Sequence, residues 1–185
     1  MSLVIKETTL PGVVIIEPVI YPDQRGFFKE LYHKEIYNEA GLDKEFVQDN
    51  HSHSVKGVLR GLHYQLKNPQ DKLVTVFSGE IFDVVVDIRS GSPDFGKWTS
   101  IYLSSENKHQ IYIPGGFAHG FCVLSDSADV VYKCTDFYSP DDEYGLLWSD
   151  EDMNIDWPVS EPIVSEKDKK YLRLKEIPAE HLPTY

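Results

Sequence analysis

The stretch Lys72-Leu73-Val74-Thr75-Val76-Phe77-Ser78-Gly79-Glu80-Ile81-Phe82-Asp83-Val84-Val85-Val86-Asp87-Ile88 reads as two strands. Val74, Val76 and Phe77 stop at Ser78-Gly79, a turn signal. Ile81–Ile88 then resumes as an apolar run suited to a strand buried on both faces. Two such runs around a short Ser-Gly break predict a hairpin.

The same grammar recurs on both sides: a short run rich in Val, Ile, Phe and Tyr, closed by Gly, Pro, Asp or Asn. It predicts strands at Gly12–Pro18, Gly26–Tyr32, Phe46–Ser54, Val58–Leu66, Lys72–Ser78, Ile81–Ile88, Thr99–Leu103, His109–Ile113, Gly120–Leu124 and Ala128–Phe137. So many short strands are too many for a small α/β unit. Two peripheral helices are expected. Lys34–Ala40 stops at Gly41, and Ser165–Leu174 opens on Ser165-Glu166-Lys167-Asp168, an S-x-x-D start of capping-box type. Helices segregated from a large antiparallel body indicate an all-β jelly roll. Without a fixed-period repeat or a Gly/Ser linker, residues 1–185 read as a single domain.

The charge balance, 18 Lys plus Arg against 30 Asp plus Glu for a net −12, argues against nucleic acid or an anionic membrane as partner. No basic run exceeds Lys169-Lys170. Cys122 and Cys134 form neither a C-x-x-C pair nor a disulfide framework, so a reduced compartment is the simpler reading. The N-terminal MSLVIKETTL lacks a signal peptide's basic segment and long apolar run. The longest stretch free of acidic and basic residues, His109 to Ser125, is broken by Pro114-Gly115-Gly116 and is unlike a spanning helix. The chain is expected to be soluble and cytoplasmic.

Several residues could carry chemistry. His63 sits in Gly57-Val58-Leu59-Arg60-Gly61-Leu62-His63-Tyr64-Gln65, where glycines inside a strand mark a bulge or a close approach. His119 shares one strand face with Phe121 and Val123, either as a hydrogen-bonded core residue or as part of a site. His51 and His53 form an H-x-H pair that two-residue spacing could aim at one metal ion, or that simply faces solvent. Gln65 stands where a second ligand after His63 would be needed. Arg25 and Arg60 each adjoin a glycine and could hold an anionic group in two-point geometry, or form salt bridges. Strict alternation puts Arg60 and His63 on opposite faces, unless a bulge at Gly61 realigns them. Tyr132 and Tyr138 share parity and could donate a proton, stack on a ring or pack a core edge. Asp168 is either a helix cap or a carboxylate that orients a histidine.

Taken in order, Leu10-Pro11-Gly12-Val13 through Ile16-Glu17-Pro18, Asp23-x-Arg25-Gly26-Phe27-Phe28-x-Glu30, Gln48-Asp49-Asn50, Arg60-Gly61-Leu62-His63-Tyr64-Gln65, Pro114-x-Gly116-Phe117-Ala118-His119-Gly120-Phe121 and Tyr132-Lys133-Cys134-Thr135 resemble the dTDP-4-dehydrorhamnose 3,5-epimerase family over nearly the whole chain. The resemblance implies a cupin-type double-stranded β-helix that uses no metal or cofactor, works as a homodimer and acts on a dTDP-sugar in dTDP-L-rhamnose synthesis. By resemblance His63 is the base, Asp168 its carboxylate partner and Tyr132 the acid. Lys72 and His119 lie beside the ketone oxygen. Arg25 and Arg60 take the diphosphate, Glu30, Gln48, Asp49, Asn50, Glu143 and Lys167 are further contacts, and Tyr138 stacks nearby. The tail Lys170-Tyr171-Leu172-Arg173-Leu174 departs from the family's usual continuation. Related activities to be told apart are a single-centre 3-epimerase, a ketoisomerase, a non-catalytic sugar-nucleotide-binding cupin and a metal-dependent oxygenase using His51, His53 or His119.

Overall fold

The computed structural model describes residues 3–185, so the first two residues of the N-terminal stretch lie outside it. Strands β1 (Val4–Glu7) and β2 (Val14–Glu17) lead into a small hairpin, β3 (Tyr21–Asp23) and β4 (Gly26–Phe28), and the helix α1 (Lys34–Glu39). Then come β5 (Gln48–Val55), β6 (Val58–Gln65), β7 (Lys72–Ser78) and β8 (Glu80–Asp87). They are followed by β9 (Trp98–Ser104), β10 (Gln110–Ile113), β11 (Phe117–Val123) and β12 (Ser127–Cys134). Two short strands, β13 (Glu143–Gly145) and β14 (Ile163–Val164), precede tight 3-10 turns that include Asp168–Lys170 and Leu174–Glu176.

The chain folds into two facing sheets. One runs β1-β2-β10-β7-β12-β5, and the other runs β13-β6-β11-β8-β9 with β14 added in parallel to β6. This is the cupin-like jelly roll expected of so many short antiparallel strands. Alternation along each strand sends one apolar set between the sheets, where Val74, Val76, Ile111 and Val130 meet Ile81, Val85, Phe117 and Phe121. A second cluster, around Leu59, Leu62, Val84 and Cys122, lies outside the second sheet under the C-terminal segment. A third, around Ile16, Leu73 and Tyr112, is covered by Tyr37 of α1.

The expected hairpin at Ser78-Gly79 is not one. β7 pairs with β10 and β12, whereas β8 pairs with β11 and β9, so the chain crosses there from one sheet to the other. Gly79 makes the crossing at φ +79, and a Cβ on it would stand 2.1 Å from Ser127 O. An apolar strand buried on both faces, as β8 is, carries no local signal of its neighbour.

The expected helix at Ser165–Leu174 is also absent. Ser165 Oγ does accept the Asp168 N–H at 3.1 Å, as a cap would. The Asp168 carboxylate does not close the box, because it is turned inward to His63. The chain then extends at Tyr171, and Leu172 bridges to Leu146. Tertiary contacts thus hold the segment as short turns. Lys34–Glu39 is helical as expected and ends before Gly41 at φ +91, while the strand expected over Gly26–Tyr32 stops at Phe28.

Candidate active site

Inward-facing residues of both sheets line a cleft of about 800 Å³ at one end of the body, within the range of small-molecule sites. The first sheet supplies Gln48, Asn50 and Ser52 from β5, Lys72 from β7 and Tyr132 from β12. The second supplies Arg60, His63 and Gln65 from β6 and His119 from β11. Tyr138, Glu143, Lys167 and Asp168 complete the wall.

Arg60 and His63 share the cleft because β6 bulges. His119 pairs with His63 and Phe121 with Arg60, so one residue of β11, Gly120, stands opposite two of β6, Gly61 and Leu62. The bulge centres on Gly61, at φ +118, where a Cβ would stand 2.6 Å from Gly120 Cα and 2.7 Å from His119 O. A bulky side chain there would push the two strands apart and break the shared face.

His63 Nε2 lies 2.7 Å from Asp168 Oδ1. Asp168 is buried and also accepts the Gly61 N–H on Oδ2 at 3.4 Å. Burial pushes its pKa up, but the hydrogen bond and charge of His63, with Gly61 and Ser165 assisting, hold it below the usual carboxylate range. An ionised carboxylate only accepts, so Nε2 carries a hydrogen, and in the neutral form of the ring Nδ1 keeps its lone pair. Nδ1 faces Glu143, whose Oε1 is 4.0 Å away. Glu143 is itself held by Lys167 Nζ and Tyr138 Oη, each at 2.8 Å. Burial raises the Glu143 pKa, but Lys167, Tyr138 and His63 bring it below its ordinary value.

Across the cleft, burial lowers the Lys72 pKa against the pull of Cys134, Asp83 and Glu143. Burial raises that of Tyr132, keeping it a protonated phenol, with Cys134 and Glu143 adding to the shift and Arg60 opposing it. Gln48 Nε2 donates to Asn50 Oδ1 at 2.9 Å, and Arg60 Nε to Ser54 Oγ at 2.9 Å. His119 Nε2 lies 2.8 Å from Oδ2 of Asp83, which is fully buried and whose Oδ1 has no partner. Sequence reasoning missed Asp83 and Ser52. The signal for Asp83 was a charge inside an otherwise apolar run, Ile81–Val86.

Three expected site residues stand outside this cleft. Arg25 is on the β3–β4 hairpin, 84% exposed and paired with Asp23. Glu30 lies beside a separate small cavity with Tyr21, His33 and Tyr37. Asp49 points away on the outer face of β5, where Lys133 Nζ holds it at 2.7 Å. His51 and His53 are on that same outer face, both bound to Asp129 Oδ1, at 2.8 and 3.1 Å. Gln65 serves the fold, accepting the Ser139 N–H and donating to Asn68 O.

A family model described as dTDP-4-dehydrorhamnose 3,5-epimerase matches residues 7–176. The chain is 59% identical over 164 residues to the dTDP-4-dehydrorhamnose 3,5-epimerase of Shigella flexneri, covering 88% of this chain and 91% of that protein. It is 52% identical over 175 residues to the protein of the same name from Methanothermobacter thermautotrophicus, covering 93% and 95%. Among solved structures, the dTDP-6-deoxy-D-glucose-3,5-epimerase of Legionella pneumophila, in complex with dTDP-4-keto-L-rhamnose, superposes with a TM-score of 0.96 at 52% identity, covering 99% of this chain and 98% of that one.

Proposed function

The chain belongs to the dTDP-4-dehydrorhamnose 3,5-epimerase family, and we propose that its cleft performs the double epimerisation with His63 as base and Tyr132 as acid. The activity is that of an isomerase: dTDP-4-dehydro-6-deoxy-D-glucose is inverted at C3 and C5 to dTDP-4-dehydro-L-rhamnose. The observation that carries the residue roles is the placement of the His63–Asp168 pair on one sheet side and Tyr132 on the other, both lining one cleft.

C3 and C5 flank the C4 ketone, so loss of either proton leaves an enolate with its charge on the ketone oxygen. Nδ1 of His63, freed by the hold of Asp168 on Nε2, takes the proton from carbon and the ring becomes an imidazolium. Lys72 and His119 stand at the enolate oxygen and stabilise its charge. The Tyr132 phenol then gives its proton to the opposite face of the carbon. Solvent restores both groups before the second centre reacts.

Arg60 takes the diphosphate, while Gln48, Asn50, Tyr138, Glu143 and Lys167 hold the nucleotide end. The protein is proposed to be a homodimer. The β3–β4 hairpin leaves Tyr21, Phe27 and Phe28 exposed with Arg25 at its tip, and a second copy would bury that apolar surface. In that assembly Arg25 and Glu30, which have no place in their own cleft, reach the partner's. No helix among the described residues is long and apolar enough to cross a membrane. The cytoplasm is the proposed compartment, in keeping with two buried free thiols, Cys122 and Cys134.

The test is incubation with dTDP-4-dehydro-6-deoxy-D-glucose in deuterated water, following hydrogen at C3 and C5 by NMR with His63→Ala as control. Exchange at both carbons, lost in the variant, is expected. Exchange at C3 alone would make it a single-centre enzyme, and tight binding without exchange a binding protein.

A further inference from the structure

The imidazole of His63 is tied by one hydrogen bond, Nε2 to Asp168, and Nδ1 is too far from Glu143, at 4.0 Å, for a second. A single bond at one ring atom leaves the ring free to turn about that axis, and the terminal torsion of histidine is intrinsically broad. Tyr171 supplies what the hydrogen bonds do not. Its ring meets the His63 ring edge-on, with centroids 5.9 Å apart and planes at 70°.

Two features of the sequence bring it there. In a 3-10 turn, side chains three residues apart eclipse one another, and Asp168–Lys170 is such a turn with Tyr171 next in line. Asp168 and Tyr171 therefore emerge on one side and reach the same imidazole, one at its nitrogen and the other at its ring. The second feature is Gly145, which pairs with His63 across β13 and β6. A Cβ on Gly145 would stand 2.3 Å from Tyr171 Cε2 and 2.5 Å from Cζ. The tyrosine ring thus occupies the space that a side chain on Gly145 would fill. Tyr171 is half-buried and does not line the cleft, so it touches His63 without facing the substrate.

We propose that Tyr171, seated on Gly145, is a positioning residue that fixes the plane of the His63 imidazole so that Nδ1 stays aimed at the reacting carbon. The inference rests on His63 being the base.

Two substitutions remove the support by independent routes. Tyr171→Ala deletes the ring, and Gly145→Ala, at a position whose φ lies outside the left-handed region, displaces it. For both, kcat for C3 and C5 exchange is expected to fall roughly 10- to 100-fold with KM within about twofold of wild type, the pattern of a misaimed base. Tyr171→Phe, which keeps the ring, is expected to restore kcat. Nitrogen-15 spectra of the His63 ring should change from one sharp tautomer to an exchange-broadened signal in both alanine variants, and a purely structural tyrosine would leave them unchanged. Full kcat in folded Tyr171→Ala and Gly145→Ala, with His63→Ala inactive, would overturn the positioning role and leave the base assignment standing. Undiminished exchange in His63→Ala would overturn both.

Discussion

Gly61 and Gly120 touch backbone to backbone: a Cβ on Gly61 would lie 2.6 Å from Gly120 Cα, and one on Gly120 would lie 2.7 Å from Arg60 O. This contact seats the bulge that turns Arg60 and His63 to one side. Gly61 also has φ +118, which an L side chain resists. Gly61→Ala is expected to cost about 2–4 kcal/mol from overpacking and backbone strain. Urea unfolding monitored by far-UV circular dichroism measures it, and a loss under 1 kcal/mol would mean that the strands can separate there freely.

Asp168 gives a pH-dependent prediction. Its folded pKa is held below the ordinary aspartate value, so the carboxylate binds its proton less readily folded than unfolded. Its contribution to stability is therefore complete above the unfolded pKa and is lost as pH falls through the folded one. The stability gap between wild type and Asp168→Asn should narrow as pH drops below about 4, by comparison of urea midpoints. Activity of the variant at neutral pH should fall roughly 10²- to 10⁴-fold, because the amide no longer fixes the His63 tautomer.

Tyr132→Phe separates abstraction from return of the proton. His63 is on the other sheet, so deuterium should still enter the recovered substrate while conversion to product slows or stops at the wrong configuration. Equal loss of exchange and of product, by NMR on one sample, would remove Tyr132 from the acid role.

The hairpin residue Arg25 is testable by mixing. If it serves the partner's cleft, Arg25→Ala and His63→Ala are each inactive, yet a refolded equimolar mixture should regain about a quarter of wild-type activity, since half the dimers then hold one complete site. An inactive mixture whose hybrid dimers are verified by native mass spectrometry would place Arg25 in its own chain's cleft.

The parts of the fold legible in the sequence were those encoded within a few residues. Alternation in Phe117–Val123 correctly put His119, Phe121 and Val123 on the inner face. The run Ile81–Ile88 correctly read as a doubly buried strand, but its partner was misassigned, because pairing of β8 with β11 and β9 depends on residues far along the chain. Strict parity could not align Arg60 with His63, but the bulge that Gly61 inside a strand offered as the alternative does align them, and only its seat against Gly120 depends on the fold. The S-x-x-D start was read as helical, yet Asp168 is drawn to a histidine 105 residues away. Resemblance supplied Arg25, Glu30 and Asp49 as contacts. Within one chain none of them reaches the cleft, and Asp49 is spent on Lys133.

The parallel addition of β14 to β6, through Ile163↔Val58 and Val164↔Leu59, delivers Asp168 from the far end of the polypeptide. Both large sheets have their interior strands by Cys134, and His63, Lys72, His119 and Tyr132 of the cleft all precede it in the chain. A nascent chain can thus close its barrel while the imidazole still lacks its anion. The His63–Asp168 pair therefore forms only once β14 has docked beside β6, after both sheets have their interior strands.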